Sequence, residues 1–232
     1  MNLELLARYG PRMLEGLLVT IELVAISVTI GAVLALPIAF ARMSRHRWLR
    51  AVSFAYVYFF RGTPLLAQTY LVYYGSGQFR PFFNSIGMWW FFREAFLCCL
   101  LTFTLNTAAY QAEILRGAIR AIAQGQREAA MSLGLKPHQT FLKVILPQAL
   151  IIALRPLGNE IILMIKGSAV AAIVTVFDLM GATRLAFARS FDISVYLWAA
   201  VLYLILVESL RRLWNRLEQR MTRHMAITGV RA

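Results

Sequence analysis

GQREAAMSLGLKPHQTFLKVILPQAL, residues 125–150, decides the fold, because it is a polar island between long apolar runs. Gln126 to Leu133 is rich in good helix formers, and Ala129, Ala130 and Leu133 give it an apolar stripe at helical spacing. Gly134 follows where a left-handed C-terminal cap belongs. Lys136-Pro137 opens a second helix, since proline is tolerated in the first turn, and Phe141, Leu142, Ile145 and Leu146 carry it into apolar sequence. The pattern predicts a short amphipathic helix bent at Gly134 and displayed outside the medium that buries its flanks.

That medium is a bilayer. Of 232 residues, 59% are hydrophobic and only 15% charged, with a mean hydropathy of +0.63, too apolar for a soluble chain of this length. A helix needs about 20 mainly apolar residues to cross ~30 Å of hydrocarbon. Five segments qualify, at about 14–40, 51–74, 95–115, 144–165 and 193–212. The shorter run Ala169 to Met180 reads as a re-entrant or packed connecting helix. The expected fold is an all-α polytopic membrane protein, one transmembrane domain over 1–232, with no internal repeat.

The net charge of +13 is not a nucleic-acid stripe, because the basic residues sit between the apolar spans. Lys and Arg accumulate on the cytoplasmic side. Arg42, Arg45, Arg47 and Arg50 follow the first span; Arg116, Arg120, Arg127, Lys136 and Lys143 follow the third; Arg211, Arg212, Arg216, Arg220, Arg223 and Arg231 follow the fifth. The opposite connections carry interfacial aromatics, among them Phe82, Phe83, Trp89, Trp90, Phe91 and Phe92. The N-terminus is therefore expected outside and the C-terminus inside, with the loop 116–143 in the cytoplasm. A helix lying on the membrane surface is the plainer reading of that loop. Its small apolar stripe and glycine bend favour a knob that fits a partner protein.

Ionisable and amide groups inside spans are costly and point to function. Thr102, Asn106, Tyr110 and Glu113 recur at helical spacing in the third span and form one polar stripe. Asn159, Glu160 and Met164 lie in the fourth, near Arg155. The candidate pathway set is thus Asn106, Tyr110, Glu113, Asn159, Glu160 and Met164. Against it stands a purely structural role: amide bonds between helices, Glu113 paired with Arg116 or Arg155, and Glu160 paired with Arg155. Glu22 faces the same choice, and Glu208 suits an interface salt bridge with Arg211 and Arg212. If Glu160 and Glu113 face the pathway, an anionic lining favours a cationic cargo. Cys98 and Cys99 read as packing residues. No nucleophile–base cluster appears, and His46, His138 and His224 lack metal-ligand spacing, so neither catalytic nor metal site is expected. A membrane anchor needs no intramembrane polar stripe.

The spacing Glu128-Ala129-Ala130, Gly134, Val144, Leu146-Pro147 resembles the signature loop of membrane subunits of bacterial ABC importers, with Val144 standing where isoleucine is usual. FRGTPLLAQTYLVYYG (60–75), TFTLNTAAYQAEILRGAIRAI (102–122) and NEIILMIKGSAV (159–170) resemble the polar amino acid branch, closest to M-type subunits of histidine, basic amino acid and opine permeases. One departure is Lys166-Gly167-Ser168-Ala169-Val170, where many relatives read K-D-T-S-L. The resemblance implies a multi-pass subunit of the bacterial inner membrane. It would pair with a second, related Q-type membrane subunit and dock on two ATPase subunits. A periplasmic binding protein would deliver a polar, basic amino acid or opine. The chain has no G-x-x-x-x-G-K-[ST] loop, so it carries no cofactor of its own and ATP belongs to the ATPase partner. Gln126, Glu128, Ala129, Ala130 and Gly134 would form the coupling helix in an ATPase groove. An ATP-independent transporter or channel is the rival reading.

Overall fold

The computed structural model describes residues 3–223, so His224 and Arg231 lie outside the described residues. Among the described residues every element is a helix. Helix α1, Leu3–Met43, is longer than the expected 14–40 span. At about 1.5 Å per residue it reaches roughly 60 Å, twice the hydrocarbon thickness. Helices α2, Arg47–Gly62, and α3, Leu65–Gln78, replace the single span expected over 51–74. Pro64 breaks that run: Thr63 before it is pushed to extended backbone, φ −114° and ψ 146°, and proline has no N–H to continue the ladder.

Two short helices, α4 at Arg80–Ser85 and α5 at Trp89–Phe92, carry the aromatic connection. The central helix α6, Ala95–Ala121, packs against α1, α2 and α3. Lipid tails are as apolar as leucine, so close packing holds such helices together, and small residues let backbones approach. Gly31 of α1 shows this, since a Cβ there would meet the Thr107 methyl at 2.5 Å. Phe103, Ala108, Ala109 and Ala112 of α6 are fully buried, as are Cys98 and Cys99, both free thiols.

Helix α7, Gln124–Ser132, and the single turn α8, Pro137–Thr140, form the polar island. A π-helical turn, Phe141–Ile145, leads into α9, Leu146–Gly167, which also packs on α6. The wide turn arises beside Pro147, which has no N–H to donate; Leu146 N–H donates five residues back to Phe141 O. After α9 the run expected as a re-entrant or connecting helix is a 3₁₀ segment, Ser168–Val174, ending at a left-handed Thr175. Helix α10, Leu179–Ser190, was not anticipated; the Asp178 carboxylate caps it by accepting Gly181 N–H at 2.8 Å. Its Leu179 and Ala186 bury against Met13 and Tyr9 of α1. Helix α11, Ser194–Thr222, closes the fold and packs on α9 and α10.

Among the described residues four helical stretches are long and apolar enough to cross a membrane: Leu5–Met43, Ala95–Ala121, Pro137–Val174 and Ser194–Thr222.

Candidate functional site

The α7–α8 knob is built by its backbone. Leu135 N–H donates to Ala130 O and Gly134 N–H to Met131 O, the paired bonds of a Schellman cap, with Gly134 at φ +79°. Lys136 N–H donates to the Gln139 side chain, and Pro137 sits in the first turn of α8. Only Ala130 of α7 is buried; Gln126, Glu128 and Ala129 are exposed, and Leu133 projects with 83% of its surface free. Glu128 accepts from Gln124 Nε2 at 2.7 Å, one turn away, so its carboxylate lies along the helix face. The result is a rigid bend presenting an apolar tip beside polar groups.

The polar stripe of α6 does not converge on one pocket. Asn106 meets the α2–α3 break, where its Nδ2 donates to Phe60 O at 2.9 Å and to Gln68 Oε1 at 3.0 Å. Gln68 Nε2 in turn donates to Phe60 O, Thr63 O and Thr63 Oγ1. Phe60 O is the carbonyl that Pro64 deprives of its helical donor, so these two amides repair the break. Tyr110 Oη reaches Arg61 O at 3.4 Å, and the Arg61 guanidinium lies over the Tyr110 ring. Glu113 is held by Arg116 at 2.6 Å and by Arg42 of α1 at 2.8 Å, so the expected Arg116 pairing forms and Arg155 takes no part. A hollow of about 320 Å³ lies beside this pair, lined by Arg42, Tyr58, Arg61 and Glu113.

On α9 the candidates part. Met164 lies in the apolar core with Leu23, Cys99, Phe103 and Val174 rather than on a polar lining. Asn159 is exposed and faces a groove between α9 and α11. Glu160 is 6% exposed and accepts from Thr107 Oγ1 at 3.1 Å; Gln111 Nε2 donates to the same hydroxyl. The alternative ion pair with Arg155 does not form, because Arg155 bonds Glu218 of α11 at 2.7 Å. Among the described residues Glu160 has no cationic partner within ion-pair distance. Glu208 binds both Arg211 and Arg212, as its place by that pair suggested, and Glu22 is exposed on α1. Gln68, Thr107 and Gln111 stand outside the candidate set, and Arg42, in the sequence a cation flanking the first span, pairs with Glu113. Gln68 had a signal, a polar residue one turn after a mid-span proline.

Helices long and apolar enough to cross a membrane, an exposed bent helix pair and amides repairing a broken helix fit one class, the membrane component of a transporter. The chain belongs to the family of binding-protein-dependent transport system inner membrane components, whose pattern matches residues 27–223. It is 35% identical over 226 residues to a nopaline transport system permease protein of Agrobacterium fabrum, covering 97% of this chain and 94% of that one. It is 38% identical over 211 residues to the histidine/lysine/arginine/ornithine transport system permease protein of Escherichia coli K12, covering 90% and 89%. A crystal structure of an amino acid ABC transporter with histidines superposes with a TM-score of 0.84 at 32% identity, covering 95% of this chain and 99% of that chain. The chain is therefore a transport subunit of the inner membrane, not an enzyme. A binding-protein-dependent family sets aside the ATP-independent transporter or channel reading.

Proposed function

We propose that the chain is a permease subunit that imports a basic amino acid or opine, driven by ATP hydrolysed on separate subunits. In this reading α2 and α3 count as one broken span, giving five spans, with the N-terminus outside and the C-terminus inside. The whole of 1–232 then acts as one transmembrane domain with the loop 116–143 in the cytoplasm. Helix α7 is the coupling helix: the exposed Gln126, Glu128 and Ala129 lie along a groove in an ATPase subunit, buried Ala130 seats the helix on its own chain, and Gly134 sets the angle. Two such ATPases, a second Q-type membrane subunit and a periplasmic binding protein complete the assembly.

The observation that carries the substrate class is Glu160. A buried carboxylate that only a hydroxyl partners is costly, and a passing cationic side chain would supply the missing charge. Gln111 and Thr107 orient it, while Asn106, Tyr110 and Glu113 hold the neighbouring break and the α1–α6 contact in register. The relative named for histidine, lysine, arginine and ornithine transport agrees with that charge, and another is named for nopaline transport. ATP binding changes the distance between ATPases, the knobs follow, and the α6–α9 seam opens to alternate sides, because only contacts that differ between states shift the equilibrium.

The test is reconstitution in vesicles with a second membrane subunit, an ATPase and a periplasmic binding protein. Arginine, histidine, ornithine and a neutral amino acid are offered with and without ATP. Uptake of the cationic compounds that needs ATP and all three partners is expected. Uptake indifferent to ATP defeats the reading, and neutral cargo alone defeats the substrate class.

A further inference from the structure

On the side of α9 away from Glu160, a hollow of about 500 Å³ opens between α9 and α11, lined by Arg155, Asn159, Arg211, Trp214, Asn215 and Glu218 among others. Its place along α11 is fixed by composition. Residues 195–207, VYLWAAVLYLILV, are wholly apolar, and 208–220, ESLRRLWNRLEQR, are mostly polar, so the hollow sits where the helix leaves hydrocarbon. Its wall is firm: the Trp214 indole lies against Gly158, where a Cβ would collide with it, and its Nε1 donates to Leu154 O at 2.8 Å. A tryptophan with an apolar body and a polar tip suits the headgroup level.

The lining is cationic. Arg155 spends Nε and Nη2 on a single oxygen of Glu218, and its side chain remains 79% exposed. Arg211 bonds Glu208, which lies outside the lining, so two guanidinium groups face one carboxylate, Glu218, in the hollow. Exposed Asn159, Asn215 and Gln219 add amide donors that hold no side-chain bond among the described residues. Guanidinium and amide donors at the headgroup level match phosphate oxygens flanked by hydroxyls.

We propose that this groove is a binding site for the headgroup of an anionic phospholipid, its phosphate between Arg155 and Arg211 and its glycerol on the amides of Asn159 and Asn215. The site rests on reading α11 as a span with its charged tail at the membrane surface. It does not depend on the cargo or on the ATPase, so lipid binding and transport are separable measurements. A protein partner in the same groove is the competing occupant, and the excess of cationic donors at headgroup depth favours the lipid.

The experiment is native mass spectrometry of the full chain, alone and in its assembled transporter, released from detergent with phosphatidylglycerol or phosphatidylcholine of equal tail length. Retention of phosphatidylglycerol over phosphatidylcholine is expected, with affinity falling roughly 30-fold in the Arg155→Gln/Arg211→Gln double variant. Asn215→Trp, which fills the hollow without removing charge, is expected to lower retention while the chain still folds and assembles. Equal retention of the two lipids, or no change in either variant, overturns the site. Loss of a protein subunit from the double variant with lipid retention unchanged assigns the groove to that subunit and overturns it as well. Displacement of phosphatidylglycerol by inorganic phosphate alone, with equal affinity for both, overturns the lipid assignment.

Discussion

Glu160 owes its isolation to helix geometry. Arg155, five residues earlier, is about 140° away around α9 at 3.6 residues per turn, so it turns to Glu218 while Glu160 turns inward to Thr107 of α6. Linear distance made Arg155 a plausible partner; angular distance excludes it. Asn159, next in sequence, is about 100° away and faces the α9–α11 groove for the same reason. Glu160→Gln keeps the shape and the Thr107 bond, and is expected to cut arginine uptake at least tenfold while a neutral amino acid is affected less. Parallel transport assays decide it, and equal loss for both cargoes removes the selectivity argument. Gly134 is constrained differently. Nothing lies within 4 Å of where its Cβ would stand, so the requirement is its φ of +79° alone. Gly134→Ala is expected to cost about 1 kcal/mol of local backbone strain and to leave partial uptake. Gly134→Lys adds a charge at the knob's tip and is expected to abolish uptake from vesicles in which the chain is normally inserted. Retained uptake in that variant sinks the lever assignment. The glycine was legible in sequence because its cause is local; the partner of Glu160 was not, because Thr107 lies 53 residues away.

The break between α2 and α3 shows what an apolar count overlooks. Hydropathy over 51–74 records that side chains tolerate lipid and says nothing of whether each backbone carbonyl keeps a donor. Pro64 removes one, and the repair comes from Gln68 in the same segment and Asn106 in another helix. A polar residue read as lining a pathway thus has a structural duty as well. Gln68→Leu removes four hydrogen bonds at the break and is expected to destabilise by about 1–3 kcal/mol, more than Asn106→Leu, which removes two; Phe60 O keeps one donor in either variant. Thermal unfolding in detergent ranks the pair, and the reverse order would place the main repair on α6. Helix α10 escaped the sequence reading for a related reason. Arg184 and Arg189 interrupt its apolarity, and its packing face is made of small residues such as Ala182 and Ala186. Small residues pack through close approach, which leaves little trace in hydropathy.

For the whole molecule, the orientation rests on where Lys and Arg accumulate, and it is open to direct measurement. Both native cysteines are fully buried, so a cysteine introduced at exposed Ser85 or Ser132 is the reactive one. An impermeant maleimide applied to sealed cells is expected to label Ser85→Cys and to reach Ser132→Cys only after the membrane is opened; the opposite pattern inverts the topology. The all-helical, multi-pass character was plain from composition because burial in lipid leaves a gross signature, whereas the way α1 clasps the bundle was not. Gly16 lies so close to Asp178 that a Cβ would stand 2.6 Å from its carbonyl, and Thr20 accepts the Leu179 N–H, a bond spanning 159 residues. At roughly 5–20 residues per second of synthesis, that join waits about 7 to 27 seconds after α1 is made. During biogenesis the N-terminal half of the first helix therefore sits in the membrane with its docking notch empty. The helix that seals the fold emerges long after the one it seals, so a chain cut short before α10 leaves the ribosome with an open seam on its first helix.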